Sequence, residues 1–283
     1  MITDIPNFDL ADFVHRVFAE DLGTGGDVTS KATIDADARF TAEMNCREAI
    51  TVAGIDIAIA FFRELDPDME IERLVRDGDR VQAKTVLLRL KGNARAMLAA
   101  ERSALNTLQH LSGIATLTAR YVDRIDGTGA ILLDTRKTIP GLRALEKYAA
   151  RMGGAQNHRL RLDDGVLIKD NHVGVAGGVA EAVAKVKAYD SGLQLQVEVD
   201  RVSQIEPALA AGAERLLLDN MKPDVLREAV ALVAGRVPLE ASGGVNLDTI
   251  RAIAETGVNY ISVGRITQSA PAVDIGLDYV LER

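Results

Sequence analysis

From about residue 130 the chain repeats one pattern: a short apolar run ending in polar residues, then a stretch with apolar positions at helical spacing. The runs are AILLDT (130–135), GVLIKDN (165–171), LQVEVD (195–200), RLLLDN (215–220), VPLEASGG (237–244) and YISVG (260–264). The stretches between them, such as VAEAVAKVKAY and KPDVLREAVALVAG, have the period of amphipathic helices. Such alternation predicts parallel strands joined by crossover helices. The runs are almost wholly apolar, as expected of strands covered on both faces. A further short strand is expected through His158 to Leu162. Six or seven units are one or two short of an eightfold barrel, so the pattern predicts an incomplete β/α barrel.

The first hundred residues read differently. Asp9 to Glu20 has helical spacing, and the turn-rich DLGTGGDVTS follows it. RFTAEMNCREAI alternates as a half-buried strand does, and MEIERLVRDGDRVQAKTVLLRLKG reads as strands joined at Asp77-Gly78-Asp79. That segment has the cadence of a biotinyl or lipoyl carrier hairpin but lacks the lysine at its tip, so it is read as architecture only. A long helix is expected from about Ala94 to Ile125. The chain is therefore read as an N-terminal α/β domain over 1–112 and a barrel over 113–283. A last helix, at about 270–283, is expected to pack back on the N-terminal domain.

Composition narrows the function classes. With a single cysteine, Cys46, intrachain disulfides and cysteine-based structural zinc sites are excluded. No run approaches membrane-spanning length, and no basic segment leads into an apolar leader, so a cytoplasmic protein is expected. A net charge of −8 argues against general nucleic-acid binding. Against that acidic background, Arg136 to His172 holds eight Lys/Arg to four Asp/Glu, and two of the four histidines. Solubility does not call for this basic excess; an anionic ligand does. Arg143, Lys147 and Arg151 sit at helical spacing and read as a solvated helix face. Arg136, Lys137, Arg159 and Lys169 each follow or end an apolar run and read as ligand-binding. His110 lies among leucines of the long helix and reads as a packed histidine.

The runs end in Asp134, Lys169, Glu198, Asp219, Glu240 with Ser242, and Gly264. Ligands of β/α folds bind at these C-terminal strand ends. Asp134 and Asp219 are also ordinary helix N-caps, whereas Lys169 and Glu198 are not cap residues, and chemistry explains them better. Glu198 and Asp219 end consecutive strands and suit Mg²⁺ or sugar hydroxyls, or else neutralise the lysines. Ser242-Gly243-Gly244, with Gly264 on the next strand, reads as a phosphate cup. Lys169 has an alternative reading as the Schiff-base lysine of an aldolase.

Taken together, EDLGTGGDVTS, ERSALNTLQHLSGIATLT, DTRKTIPGLRALEKYA, GGAQNHRLRLDDGVLIKDNH, VEVD, LLLDN, EASGGVN and SVG resemble the quinolinate phosphoribosyltransferase family over nearly the whole chain. The resemblance implies an N-terminal α/β sandwich, an incomplete β/α barrel and a homodimer with sites shared between subunits. It further implies transfer of phosphoribosyl from 5-phosphoribosyl 1-pyrophosphate to quinolinate with decarboxylation, in NAD biosynthesis, with Mg²⁺. Carried over by motif, Arg136, His158, Arg159 and Lys169 would bind the quinolinate carboxylates, and Arg102 would reach in from the partner subunit. Lys137 would meet pyrophosphate, Glu198 and Asp219 the ribose hydroxyls and Mg²⁺ (directly or through substrate or water). Ser242, Gly243, Gly244 and Gly264 would cradle the 5′-phosphate. The chain departs from the family in Arg265-Ile-Thr-Gln268, where Ala-Leu-Thr-His is frequent. Two alternatives remain open from the sequence: a paralogous transferase with another acceptor, and a non-catalytic phosphosugar binder.

Overall fold

A computed structural model of the chain describes residues 5–6 and 8–280. In chain order it begins with α1 (Leu10–Leu22), α2 (Val28–Thr33), β1 (Arg39–Cys46), β2 (Ile50–Thr51), α3 (Ile55–Leu65), β3 (Glu70–Arg73), β4 (Arg80–Val81), β5 (Val86–Asn93) and α4 (Ala94–Ile125). Then come β6 (Ile131–Leu133), α5 (Arg143–Met152), β7 (Val166–Ile168), α6 (Asp170–Ala176), α7 (Val179–Tyr189), β8 (Leu195–Val199) and α8 (Ile205–Ala211). The chain closes with β9 (Arg215–Asp219), α9 (Pro223–Val233), β10 (Leu239–Ser242), α10 (Ile250–Ala254), β11 (Tyr260–Ser262), α11 (Arg265–Gln268) and β12 (Ile275–Val280). Two compact units result: Met1–Thr118 with Ala144–Gly154 and Ser269–Arg283, and Ala119–Arg143 with Ala155–Gln268.

The first unit is built on an antiparallel sheet in the order β12-β1-β5-β3. Its strands alternate as a half-buried sheet should. Ala42, Met44 and Cys46 of β1 and Leu88 and Leu90 of β5 are fully buried, whereas Arg89 pairs with Glu43 and Glu72 on the exposed face. Phe13 and Phe18 of α1 meet Phe61 of α3 edge-on, with ring centroids 6.0 and 5.3 Å apart. Asp77 does not close a hairpin. Its carboxylate caps α3 by accepting the Gly54 and Ile55 N–H groups, and Tyr148 donates to it at 2.5 Å. β4 accordingly pairs with β2, and β3 with β5.

Two further expectations change in this unit. The segment from residue 270 is not a helix: β12 runs antiparallel to β1 from Thr41↔Val280 to Cys46↔Ile275. A partner distant in sequence decides its state, and Val273 and Ile275 follow the period of a strand. Residues 281–283 of the expected helix lie outside the described residues. Lys147 is buried rather than solvated, at 1% exposure; its neighbour Glu146 is also buried, and His110 Nε2 lies 2.9 Å from Glu146 Oε1. His110 is therefore the polar partner of a buried acid as well as a packed side chain. The expected division after residue 112 falls within the continuous helix α4.

The second unit is the barrel. Its six parallel strands lie in the order β6-β11-β10-β9-β8-β7, so the first strand in sequence sits beside the last. That order is a wrap, not an open doubly wound sheet. Every expected run forms its strand. The extra strand through His158–Leu162 does not form. Gln156 alone bridges Leu133 beyond β6, and β7 is laddered on one side only among the described residues. Local side chains have taken the backbone donors. Asp164 accepts from the Leu160 and Arg161 N–H groups, and His158 Nδ1 accepts from Arg159 N–H. The barrel is left incomplete at that point.

Candidate active site

A cavity of about 790 Å³ opens at the C-terminal ends of the barrel strands. Each strand end contributes to it: Arg136 and Lys137 after β6, Lys169 after β7, Glu198 of β8, Asp219 of β9, Ser242 of β10 and Gly264 after β11. His158 and Arg159 line it from the connection between α5 and β7, and Gly243 and Gly244 from the turn after β10. All the barrel residues expected from the sequence are thus brought together. Arg102 is not: it is exposed on α4 in the first unit and does not line the cavity.

The cations are the feature that calls for a ligand. Arg136 Nε is buried and has no hydrogen-bond partner. Burial, and then the neighbouring Arg136, hold the Arg159 guanidinium below its usual pKa. Arg159 donates to the neutral Gly165 carbonyl at 2.8 Å, and the Asp164 charge offsets burial and Arg136 only in part. Two guanidiniums held together against burial and mutual repulsion are stabilised by an anion that accepts from both.

Lys169 is paired: its Nζ lies 2.7 Å from Glu198 Oε2, so this acid neutralises a lysine, one of the two roles expected for it. It occupies the N-cap position of α6 without a side-chain cap, and its backbone N–H donates to His172 Nδ1 at 2.9 Å instead. The lysine head is not used as a cap and instead meets Glu198 at the cavity wall. Asp134 and Asp219 are not caps either. Asp134, wholly buried, accepts from Asn157 Nδ2 at 2.6 Å and His158 N–H at 2.8 Å, tying the histidine loop to β6. Asp219 accepts from Asn220 Nδ2 at 2.7 Å.

Two glycines have specific steric reasons. Gly243 has φ +93°, and a Cβ there would come 2.2 Å from Asn220 Oδ1. At Gly264 a Cβ would come 2.7 Å from Lys137 Cδ, so this glycine makes room for the lysine stem as well as lining the cavity. The helix that follows Gly243-Gly244 starts at Ile250, so the expected cup is loop backbone rather than a helix N-terminus. The sequence reading named Glu240 among the strand ends but gave it no role in the site. It is fully buried in β10, lines the cavity, and accepts from Arg215 and Gln196 at 2.8 Å each. An acid inside one apolar run, beside an arginine in the neighbouring run, was the available signal. Arg265 and Gln268 also line the cavity.

Comparison with known proteins agrees with this architecture. Residues 27–112 match the family model "Quinolinate phosphoribosyl transferase, N-terminal domain", and residues 114–278 match its C-terminal domain. The chain is 44% identical over 285 residues to a nicotinate-nucleotide pyrophosphorylase [carboxylating] of Mycobacterium leprae, covering 98% of this chain and 100% of that protein. A quinolinate phosphoribosyltransferase [decarboxylating] of Nicotiana glauca is 41% identical, with 96% and 82% covered. The solved nicotinate-nucleotide pyrophosphorylase of Francisella tularensis superposes with a TM-score of 0.92 at 42% identity, covering 96% of each chain. The chain belongs to the quinolinate phosphoribosyltransferase family, whose fold it shares.

Proposed function

We propose that the protein transfers the phosphoribosyl group of 5-phosphoribosyl 1-pyrophosphate to quinolinate and releases CO₂, giving nicotinate mononucleotide and pyrophosphate for NAD biosynthesis. The observation that carries this reading is the Arg136–Arg159 pair, held at a cost in a cavity that also offers a carboxylate pair and a glycine cup. A planar dicarboxylate satisfies both guanidiniums, with Lys169 and His158 beside them. The donor's 5′-phosphate takes the loop of Ser242, Gly243 and Gly244 with Gly264, and Lys137 takes the leaving pyrophosphate.

The chemistry needs no protein nucleophile. The pyridine nitrogen bonds to the anomeric carbon as the carbon–oxygen bond to pyrophosphate breaks, through an oxocarbenium-like transition state. The ring nitrogen then carries positive charge. The adjacent carboxylate leaves as CO₂, its bonding pair is held beside that charge, and the ring carbon takes up a proton. The side chains orient both substrates and neutralise charge as it develops. Glu198 and Asp219, at the ends of adjacent strands, fit a hard cation with ribose hydroxyls. These two carboxylates would hold the cation directly or through oxygens of the donor or water. When bound, Mg²⁺ supplies charge neutralisation on the leaving group.

The reading extends to a cytoplasmic homodimer in which Arg102 completes the partner's site. Exposure of Arg102 on α4, which leaves its guanidinium open to a partner, supports the shared site. The test is product formation from quinolinate and from nicotinate, each with the donor and Mg²⁺. Nicotinate mononucleotide from quinolinate alone supports the reading. Turnover of nicotinate instead, or donor binding without turnover, contradicts it.

A further inference from the structure

Three donors converge on one carboxylate oxygen of the cavity wall. Glu240 Oε2 accepts from Gln196 Nε2 and from an Arg215 terminal nitrogen, each at 2.8 Å, and His158 Nε2 lies 3.5 Å away from it. The Arg215 guanidinium is stacked 3.9 Å from the Tyr260 ring centroid, so residues of β8, β9 and β11 all fix the acid on β10. Burial opposes the charge on Glu240, but His158 beside it, and then Arg215 and Gln196, outweigh burial and hold the carboxyl below its ordinary value.

The other ring nitrogen settles the tautomer of His158. Arg159 N–H donates to His158 Nδ1 at 2.8 Å. A nitrogen that accepts carries no hydrogen, so the neutral ring has its hydrogen on Nε2, directed at Glu240. Asp134 fixes the backbone of the same residue through the His158 N–H. Both ring nitrogens are committed to protein partners, and what His158 presents to the cavity is carbon edge and ring face.

We propose that Glu240 is a positioning residue: it locks His158 in the Nε2–H tautomer, so that the imidazole shapes a flat slot beside Arg136 and Arg159 for the acceptor ring. This rests on the placement of quinolinate against His158. In this arrangement His158 supplies shape, and the arginines and Lys169 supply charge. The rival role for Glu240 is as the counter-ion of Arg215 and nothing more. Oε1 of Glu240 is buried without a partner, whereas every bond runs to Oε2. A glutamine can therefore present its single oxygen where Oε2 stands, but a leucine cannot.

The test begins on the unaltered protein. Long-range ¹H–¹⁵N spectra, with the His158 signals assigned by their loss in His158→Ala, should show hydrogen on Nε2 alone; an Nδ1–H ring overturns the proposal. His158→Ala should raise KM for quinolinate on the order of tenfold and leave KM for the phosphoribosyl donor in place. Glu240→Leu should match it, and the double variant should be no worse than His158→Ala. Glu240→Gln should recover most of the quinolinate affinity that leucine loses. Additive effects, equal loss for both substrates, or a glutamine variant as poor as His158→Ala would overturn the positioning role. If leucine does not fold, the spectra of the unaltered protein and the glutamine kinetics still decide. If His158→Ala leaves quinolinate KM unchanged, the placement of quinolinate fails first, before any Glu240 variant is read.

Discussion

Lys169 Nζ lies 2.7 Å from Glu198 Oε2, so the cation after β7 and the acid of β8 form an ion pair across adjacent strands at the cavity. The lysine side chain is 47% exposed and the glutamate 11%. A pair with one member this exposed contributes at most about 1 kcal/mol to stability, and its value to the protein lies in orientation. Lys169→Ala should therefore lower kcat/KM for quinolinate by roughly a hundredfold or more while the melting temperature moves by only about 2–4 °C. Steady-state kinetics alongside thermal unfolding check this. Full activity in the folded variant would remove Lys169 from the site.

Arg159→Lys should impair quinolinate use selectively. A point charge cannot reproduce the guanidinium fork, and loss of a charge-assisted hydrogen bond costs roughly 1.5–3 kcal/mol, or about ten- to a hundredfold in KM. Donor affinity, measured by calorimetry without quinolinate, should not change. The opposite pattern would place Arg159 at the donor.

Gly243→Ala tests the phosphate cup. With φ +93° and Asn220 Oδ1 2.2 Å from where the Cβ would stand, the loop must shift to admit a methyl group. Affinity for the phosphoribosyl donor should fall by roughly tenfold or more, with less effect on quinolinate. Unaltered donor binding would move the phosphate elsewhere.

Arg102 should act in the partner's site. Inactive Arg102→Ala and Lys169→Ala chains, co-refolded, should regain activity. Random pairing makes about half the dimers mixed, each with one intact site of two, so recovery should approach roughly a quarter of wild type. Mixed dimers without activity would confine Arg102 to its own chain or exclude it from the chemistry.

The barrel strands and their ends were legible in the sequence because their information is local: the apolar runs, and residues such as Lys169 and Glu198 that no helix cap requires. What was missed depended on distant partners. β12 is a strand because β1 lies alongside it. Lys147 looks solvated by helical spacing but is 1% exposed, and Asp77, in the expected turn, also caps α3. The convergence of donors on Glu240 likewise joins residues on different strands. Spacing along the chain does not encode them.

The most direct test of the account follows the carbon that must leave. Quinolinate labelled in the carboxylate next to the ring nitrogen is incubated with the protein, the phosphoribosyl donor and Mg²⁺, and labelled CO₂, pyrophosphate and nicotinate mononucleotide are quantified together. The account predicts equal amounts of the three, and none without the donor. Pyrophosphate release with the label retained in a nucleotide, or no turnover by the folded protein, would contradict it.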